Sequence, residues 1–213
     1  ANKGKADYRI PARQYESVDS SHTVFIERDL LEGDAALANQ ATQKLEATLT
    51  EIFSVLPQVP AQKLRQLTFY LMWGESSPKG GRKSGMSYLD PRWENVIVVY
   101  SAKNLMYLDS LWSKKALMHE LAHAWHLNNW PENCEPIVSA YRNAKGLGLY
   151  RNVKDNKGKI IKEAYAIKNH LEYFAELSAI YFVGGNYFPE NNKNLRDYDV
   201  VGLTMIERGW NGL

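Results

Sequence analysis

The chain has 213 residues, 45% hydrophobic and 23% charged, the make-up of an ordinary globular protein long enough for one sizeable core or two lobes around a cleft. Its 26 basic and 24 acidic residues leave a formal net charge of +2, which argues against both a nucleic-acid footprint and a polybasic membrane anchor. The single cysteine, Cys134, excludes an intramolecular disulfide, and no apolar run approaches the ~20 residues that cross a bilayer.

Residues 1–20 are polar and poorly patterned, start without Met, and read as a loosely ordered lead-in to a secreted or periplasmic protein whose signal peptide is gone. His22–Arg28 alternates and is rich in β-formers, so a strand is expected. Asp34 can cap a helix in which Leu37, Leu45, Leu49, Ile52, Phe53 and Leu56 recur at helical spacing, with Pro57 as its stop. Leu67–Trp73 is a second strand, 74–87 a Gly/Ser/Pro-rich loop more exposed than ordered, and Asn95–Ser101 a third strand. From about Ser110 the pattern turns helical. One helix runs through 113–129 with Ser113 as N-cap, and a second through 134–148. After a charged, hairpin-like patch at 151–165, a helix capped by Asn169 stops at Gly184–Gly185, and a last helix covers 196–210. The expected fold class is α+β: a single domain over 21–213, with an α/β part to about residue 130, a mainly helical part beyond it, and the histidine helix flooring a cleft between them.

That helix carries the chemistry. His119, Glu120 and His123 spell H-E-x-x-H, and two of the chain's five histidines four residues apart lie on one helix face, where both imidazoles can reach one tetrahedral ion. Glu120 sits one step round the helix, placed to take a proton from a water that a metal has acidified. Chance would give the motif in roughly one chain in a hundred of this composition. Here Leu117, Met118, Leu121, Ala122 and Ala124 flank it, so the helix is mostly buried, and paired buried imidazoles are costly unless something binds them.

Two histidines do not hold a metal alone. Glu172 and Glu176 stand four residues apart in an otherwise apolar helix with Phe174, Ala175, Leu177 and Ile180 around them. Two carboxylates on a largely buried helix need cationic compensation, which a zinc ion with its histidines supplies. One can ligate directly while the other accepts the N–H of a ligand histidine. The spacing serves either assignment equally.

These residues resemble the gluzincin zinc metallopeptidases, in particular the catalytic domain of the anthrax-lethal-factor kind, on "HELAHAWH" and, some fifty residues later, "YAIKNHLEYFAELSAIYF". The likeness is closer still to a group of exported bacterial proteins that also share "IFSVLP" and "NYFPENNKNLRDYD", so that it covers most of residues 22–208. After Pro189 this chain departs from that group's pattern, with Glu190 and Asn191 where an aromatic is favoured. The resemblance implies a zincin-like fold and a Zn2+ ion held by His119, His123 and Glu172. It also implies Tyr165 as a phenolic donor to the developing oxyanion and Glu176 as support for a ligand histidine.

The function expected is a zinc metallopeptidase acting on a peptide or protein substrate, with Glu120 as general base and the 95–101 strand as the edge along which an extended peptide pairs. The alternatives are a non-catalytic zinc-binding, peptide-binding protein of zincin fold, against which an intact Glu120 counts, and a zinc amidase acting on cell-wall amides. His126 lies on the His119 face but ~4.5 Å further along the axis than His123, so it is expected to line the cleft or meet a carboxylate rather than ligate. His22, His170, Cys134, the scattered aromatics and the short basic loop 79–83 are expected to be structural or solvated.

Overall fold

This computed structural model describes residues 13–92 and 94–212. Of the expected lead-in, residues 1–12 lie outside the described residues. Beyond them Tyr15–Ser17 is not loose: it forms strand β1, paired antiparallel with β2 (Thr23–Glu27). The chain then makes a short helix α1 (Arg28–Gly33), the long α2 (Ala35–Val55) and α3 (Gln58–Leu64), and returns to the sheet as β3 (Thr68–Leu71). β4 (Met86–Leu89) and β5 (Val96–Val99) complete a five-stranded mixed sheet in the order β1-β2-β3-β5-β4. Its centre, β2-β3-β5, is parallel, and both flanking strands are antiparallel to their neighbours.

This order corrects one expectation. The 95–101 strand is internal, buried at all four positions of β5, because Val96–Val99 is apolar on both faces and needs cover on both. The edges of the sheet are β1 and β4, and the one beside the histidine helix is β4, four residues that follow the glycine-rich stretch and carry too short a pattern to be read as a strand. Nor is the 74–85 loop merely exposed. Glu27, fully buried, draws in Arg13 Nη1 (2.6 Å), the Trp73 N–H (2.8 Å) and Ser77 Oγ (3.0 Å), while Arg13 Nη2 donates to Gly80 O (2.5 Å). A buried carboxylate must be supplied with donors, and here that need orders the loop.

Sheet alternation divides the apolar residues. Val24, Ile26, Phe69, Leu71, Ile97 and Val99 join the helices in the main core, while Met72, Leu89, Val96, Val98 and Tyr100 form a smaller cluster with Tyr15 and Tyr70. On α2 the buried positions Ala38, Ala41, Leu45, Leu49 and Ile52 repeat every three or four residues, and Asp34 caps it by accepting from Leu37 N at 3.0 Å.

After α4 (Ala102–Tyr107) comes the central helix α5 (Ser110–Asn129). It starts four residues earlier than a cap at Ser113 implied. Asp109 is the N-cap, accepting from Trp112 N at 2.8 Å, and Ser113 lies inside the helix, donating to Asp109 O at 2.9 Å. α6 (Glu135–Gly146) follows, then the hairpin β6 (Arg151–Lys154)–β7 (Ile160–Glu163), a 3-10 turn at Tyr165–Ile167, and α7 (His170–Phe182), capped by Asn169 as expected. The last helix is in fact two, α8 (Asn192–Tyr198) and α9 (Val200–Asn211), because Asp199 leaves the helical conformation to cap α9 by accepting from Gly202 N at 2.9 Å. One hydrophobic cluster runs from Val24 in the sheet to Trp210 in α9, so both halves of this mixed α+β domain share a core. Among the described residues no helix is long and apolar enough to cross a membrane.

Candidate metal centre

α5 and α7 pack against each other, and their polar residues meet where β4 passes alongside. α5 is sealed on most sides: Leu117, Met118, Leu121, Ala122 and Ala124 are fully buried, which fixes the remaining face toward α7. His119 and His123 project from that face at helical i, i+4 spacing, and Glu172 comes to them from the first turn of α7. His119 Nε2 stands 2.8 Å from Glu172 Oε2, His123 Nε2 stands 3.5 Å from the same oxygen, and the two Nε2 atoms are 3.1 Å apart. The expected trio therefore converges, and among the described residues it is the group of His, Cys, Asp and Glu whose ligand atoms gather closely enough for a metal.

The chemistry of these atoms fits a cation. Glu176 Oε2 lies 2.7 Å from His119 Nδ1, so the Nδ1–H donates there and the lone pair of a neutral imidazole falls on Nε2. Two imidazole nitrogens and a carboxylate oxygen then face a common centre, and Glu172 Oε2 is buried with no donor aligned to it. Two histidines and a glutamate are a donor set of catalytic zinc sites, which leave a fourth position to water or substrate. The electrostatics point the same way. Burial opposes a charged His119, but the adjoining carboxylates of Glu172 and Glu176 outweigh it and push its pKa up to about 10. Burial likewise opposes a charged Glu172, yet His119 and His123 hold its carboxyl well below the usual range. The cluster draws positive charge into its middle.

Glu176 is 2% exposed and is held by more than His119: Tyr187 Oη donates to its Oε1 at 2.7 Å, and Lys115 Nζ lies 3.2 Å from the same atom. Burial works against its charge, but the His119 hydrogen bond and Lys115 bring its pKa down to about 2. Lys115 and Tyr187 were missed in the sequence. Lys115 had a signal, since it lies four residues before His119 on the same face of α5. Tyr187 had none, because the loop after α7 that carries it has no periodicity to place it.

Glu120 turns from the trio toward the sheet edge, where its Oε2 accepts the Tyr88 N–H of β4 at 2.6 Å. Burial raises its pKa above the ordinary value, partly offset by His119, His123 and this hydrogen bond. Such a shift brings a carboxylate toward the working range of a general base. Tyr165, half exposed on the 3-10 turn, has its ring centroid 5.8 Å from that of His119; burial and the Glu172, Glu120 and Glu176 carboxylates push its pKa up to about 12, which keeps the phenol a donor.

His126 departs from its expected place. It is fully buried rather than in the cleft, packed edge-on to Phe174 (ring centroids 5.5 Å) and beside Trp130, and its Nε2–H donates to Pro131 O at 3.0 Å, not to a carboxylate. Its axial offset carries it past the trio to where Phe174 and Trp130 pack around it. His22 pairs with Glu46 (3.0 Å) and stacks on Phe53, and His170 meets Glu132 O at 2.9 Å; neither joins the cluster. Cys134 is buried at the start of α6. No family model matches this chain, and no curated protein matches it either.

Proposed function

We propose that the chain is a zinc-dependent metallopeptidase of the gluzincin kind on a zincin-like fold. The observation that carries the reading is the meeting of His119 Nε2, His123 Nε2 and Glu172 Oε2 within 3.5 Å of one another, drawn from two helices whose sequences are about fifty residues apart. A zinc ion held by these three residues would acidify a water and polarise a carbonyl.

The chain's own groups supply the rest. The Glu120 carboxylate takes the proton of the attacking water and returns it to the leaving amine. Its hydrogen bond to the Tyr88 N–H ties that carboxylate to the strand beside which a substrate lies. The Tyr165 phenol, kept protonated, donates to the oxygen on which negative charge grows, where preorganised donors contribute most. Glu176 fixes the His119 tautomer through Nδ1 and so turns its Nε2 lone pair toward the centre. β4, an open edge with Met86 and Tyr88 beside the site, offers backbone groups to an extended peptide.

The test is metal analysis of the purified protein followed by digestion of an unbiased peptide library, with Glu120→Gln as control. The wild type is expected to hold one zinc per chain and cleave peptides, and Glu120→Gln to keep the zinc while losing at least 100-fold in cleavage rate, at the low end for a lost general base. Zinc binding with no cleavage of any peptide would favour a non-catalytic binder or an amidase acting on other amides. Undiminished cleavage by Glu120→Gln would remove Glu120 from its role.

A further inference from the structure

On the Met86 side of His119 and Glu120 the cleft opens into a cavity of about 810 Å3. Its floor is apolar and aromatic, with Met86, Trp112, Ile161, Ile167 and Tyr187, and four cations, Lys115, Lys145, Arg151 and Lys168, line it against the three carboxylates of Glu120, Glu163 and Glu176. Two of these are committed, Lys115 to Glu176 at 3.2 Å and Arg151 to Glu163 at 3.6 Å. The other two have no carboxylate in ion-pair reach among the described residues. Lys168 Nζ lies 4.9 Å from the ring centroid of Tyr165, beside the metal centre, and Lys145 Nζ lies 5.8 Å from that of Tyr141.

The other side of the cleft differs. A smaller cavity of about 290 Å3 is lined by Asp90, Glu132 and Glu172, with Arg92 already bound between Asp90 (2.9 Å) and Glu132 (3.5 Å). The cleft is thus basic at one end and not at the other. The β6–β7 hairpin walling the basic end deepens the contrast, since Arg151, Lys154, Lys157, Lys159 and Lys162 outnumber Asp155 and Glu163 there. Such an excess of positive charge raises the local concentration of anions. β4 runs from Met86 at the basic end to Leu89 at the other, and an added strand is more stable antiparallel than parallel. A bound peptide would therefore run toward the basic cavity with its C-terminal part.

We infer that this cavity is the subsite for a carboxylate-bearing residue on the C-terminal side of the scissile bond, its stem on the aromatic floor and its charge met by Lys145 and Lys168. The carboxylate is that of an acidic side chain or of a free chain end. This rests on the peptidase reading for the word scissile, but not for the binding.

The test uses the full zinc-loaded chain and fluorescent Ala/Leu decapeptides carrying Glu, Gln or Lys at one central position, scanned by one residue at a time. A second set ends at that position as free acid or amide. Cleavage is read with the wild type, and binding with Glu120→Gln. The Glu peptides should exceed the Lys peptides by about tenfold in kcat/KM and in affinity, and the order should reverse when Lys145→Glu and Lys168→Glu are combined, two exposed positions whose exchange leaves the core alone. Preference for free acid over amide would assign the carboxylate to the chain end, and preference for internal Glu to a side chain. Binding preference with reversal but no cleavage would sink the peptidase reading and keep the subsite. Cleavage blind to charge would do the opposite. Absence of binding, or an order that charge reversal leaves untouched, would overturn the subsite.

Discussion

Glu172 and Glu176 are one helical turn apart and both touch His119, yet glutamine at each should harm different properties. Glu176 is 2% exposed and serves three donors, the His119 Nδ1–H, the Tyr187 hydroxyl and Lys115 Nζ. Glutamine keeps one acceptor, turns an NH2 toward groups that themselves donate, and leaves Lys115, 7% exposed, without a carboxylate. Breaking a buried ion pair costs about 3–5 kcal/mol, and the lower end applies because Asn186 Oδ1 still accepts from Lys115. At about 2–4 °C per kcal/mol for a domain of this size, the melting temperature of the metal-free protein should fall by about 6–12 °C. Glu172 is less enclosed, its side chain 17% exposed, and when it is lost His119 still keeps Glu176 as a partner. Its exchange should cost about 1.5 kcal/mol, the low end for a hydrogen bond to a charged group, or about 3–6 °C. Metal affinity should rank the other way. Glu176→Gln loses the support of one ligand, about 10–100-fold, while Glu172→Gln loses a ligand and more affinity than that. Thermal melts in chelator and zinc competition against a chromophoric chelator measure the two. If one variant is worse in both, the division into ligand and support is wrong.

His126 and Gly202 give two further expectations. Burial, opposed in part by the Pro131 hydrogen bond, drops the His126 pKa to about 4, with His123 and His170 adding to the drop. Between pH 6.5 and 4 the unfolded chain binds the proton that the folded one refuses, so this residue makes stability fall as pH falls through that window, by about 3 kcal/mol in full. Urea titrations at pH 7 and 4.5 should show a smaller acid loss for His126→Gln than for the wild type, and equal losses would mean that His126 does not stay neutral. At Gly202 an added Cβ would overlap both Asp199 Oδ2 and Tyr173 Oη, which bond each other at 2.6 Å in the core, so Gly202→Ala should destabilise by about 2–3 kcal/mol; an unchanged urea midpoint would refute the overlap.

The parts legible in the sequence were those whose periodicity is set locally. The apolar repeat of α2, the alternation of β2, and the caps Asp34 and Asn169 all depend on residues within a few positions of one another. His119 and His123 could be read because the helical period alone places two imidazoles on one face; the same period puts Glu172 and Glu176 together on an otherwise apolar helix, and only the resemblance singled out Glu172 as the ligand. β4 was not legible: Met86–Leu89 is half-buried at three of four positions, and it is a strand only because β5 offers a partner. For the same reason the edge beside the site is β4 and not the more apolar 95–101 strand. Ser113 and Asp109 are both good caps; the Asp109 carboxylate takes the Trp112 N–H, while Ser113 is buried one turn further in and donates to Asp109 O. The contact of Lys115 with Asn186 spans 71 positions and follows from where the loop after α7 returns, which no local pattern specifies.

The same contacts that build the site also set how α5 and α7 dock. Along α5, Lys115, His119 and His123 follow one another at four-residue intervals, and Glu176 and Glu172 do so on the facing helix. Glu176 touches Lys115 and His119, while Glu172 touches His119 and His123, so each carboxylate lies between two successive bases. Sliding one helix by a turn would strand a base at one end and a carboxylate at the other, each inside a seam that is otherwise apolar, and an unpaired charge there costs several kcal/mol. Apolar side chains alone would tolerate such a slip more readily, since hydrophobic contact is not directional. The ladder therefore selects one register for the helix pair, and in that register His119 Nε2, His123 Nε2 and Glu172 Oε2 fall together. Beyond His123 the seam needs no charge. There Phe174 and Trp130 close over His126, which is why the third histidine of the face, right in direction but one step too far along the axis, is sealed into the core.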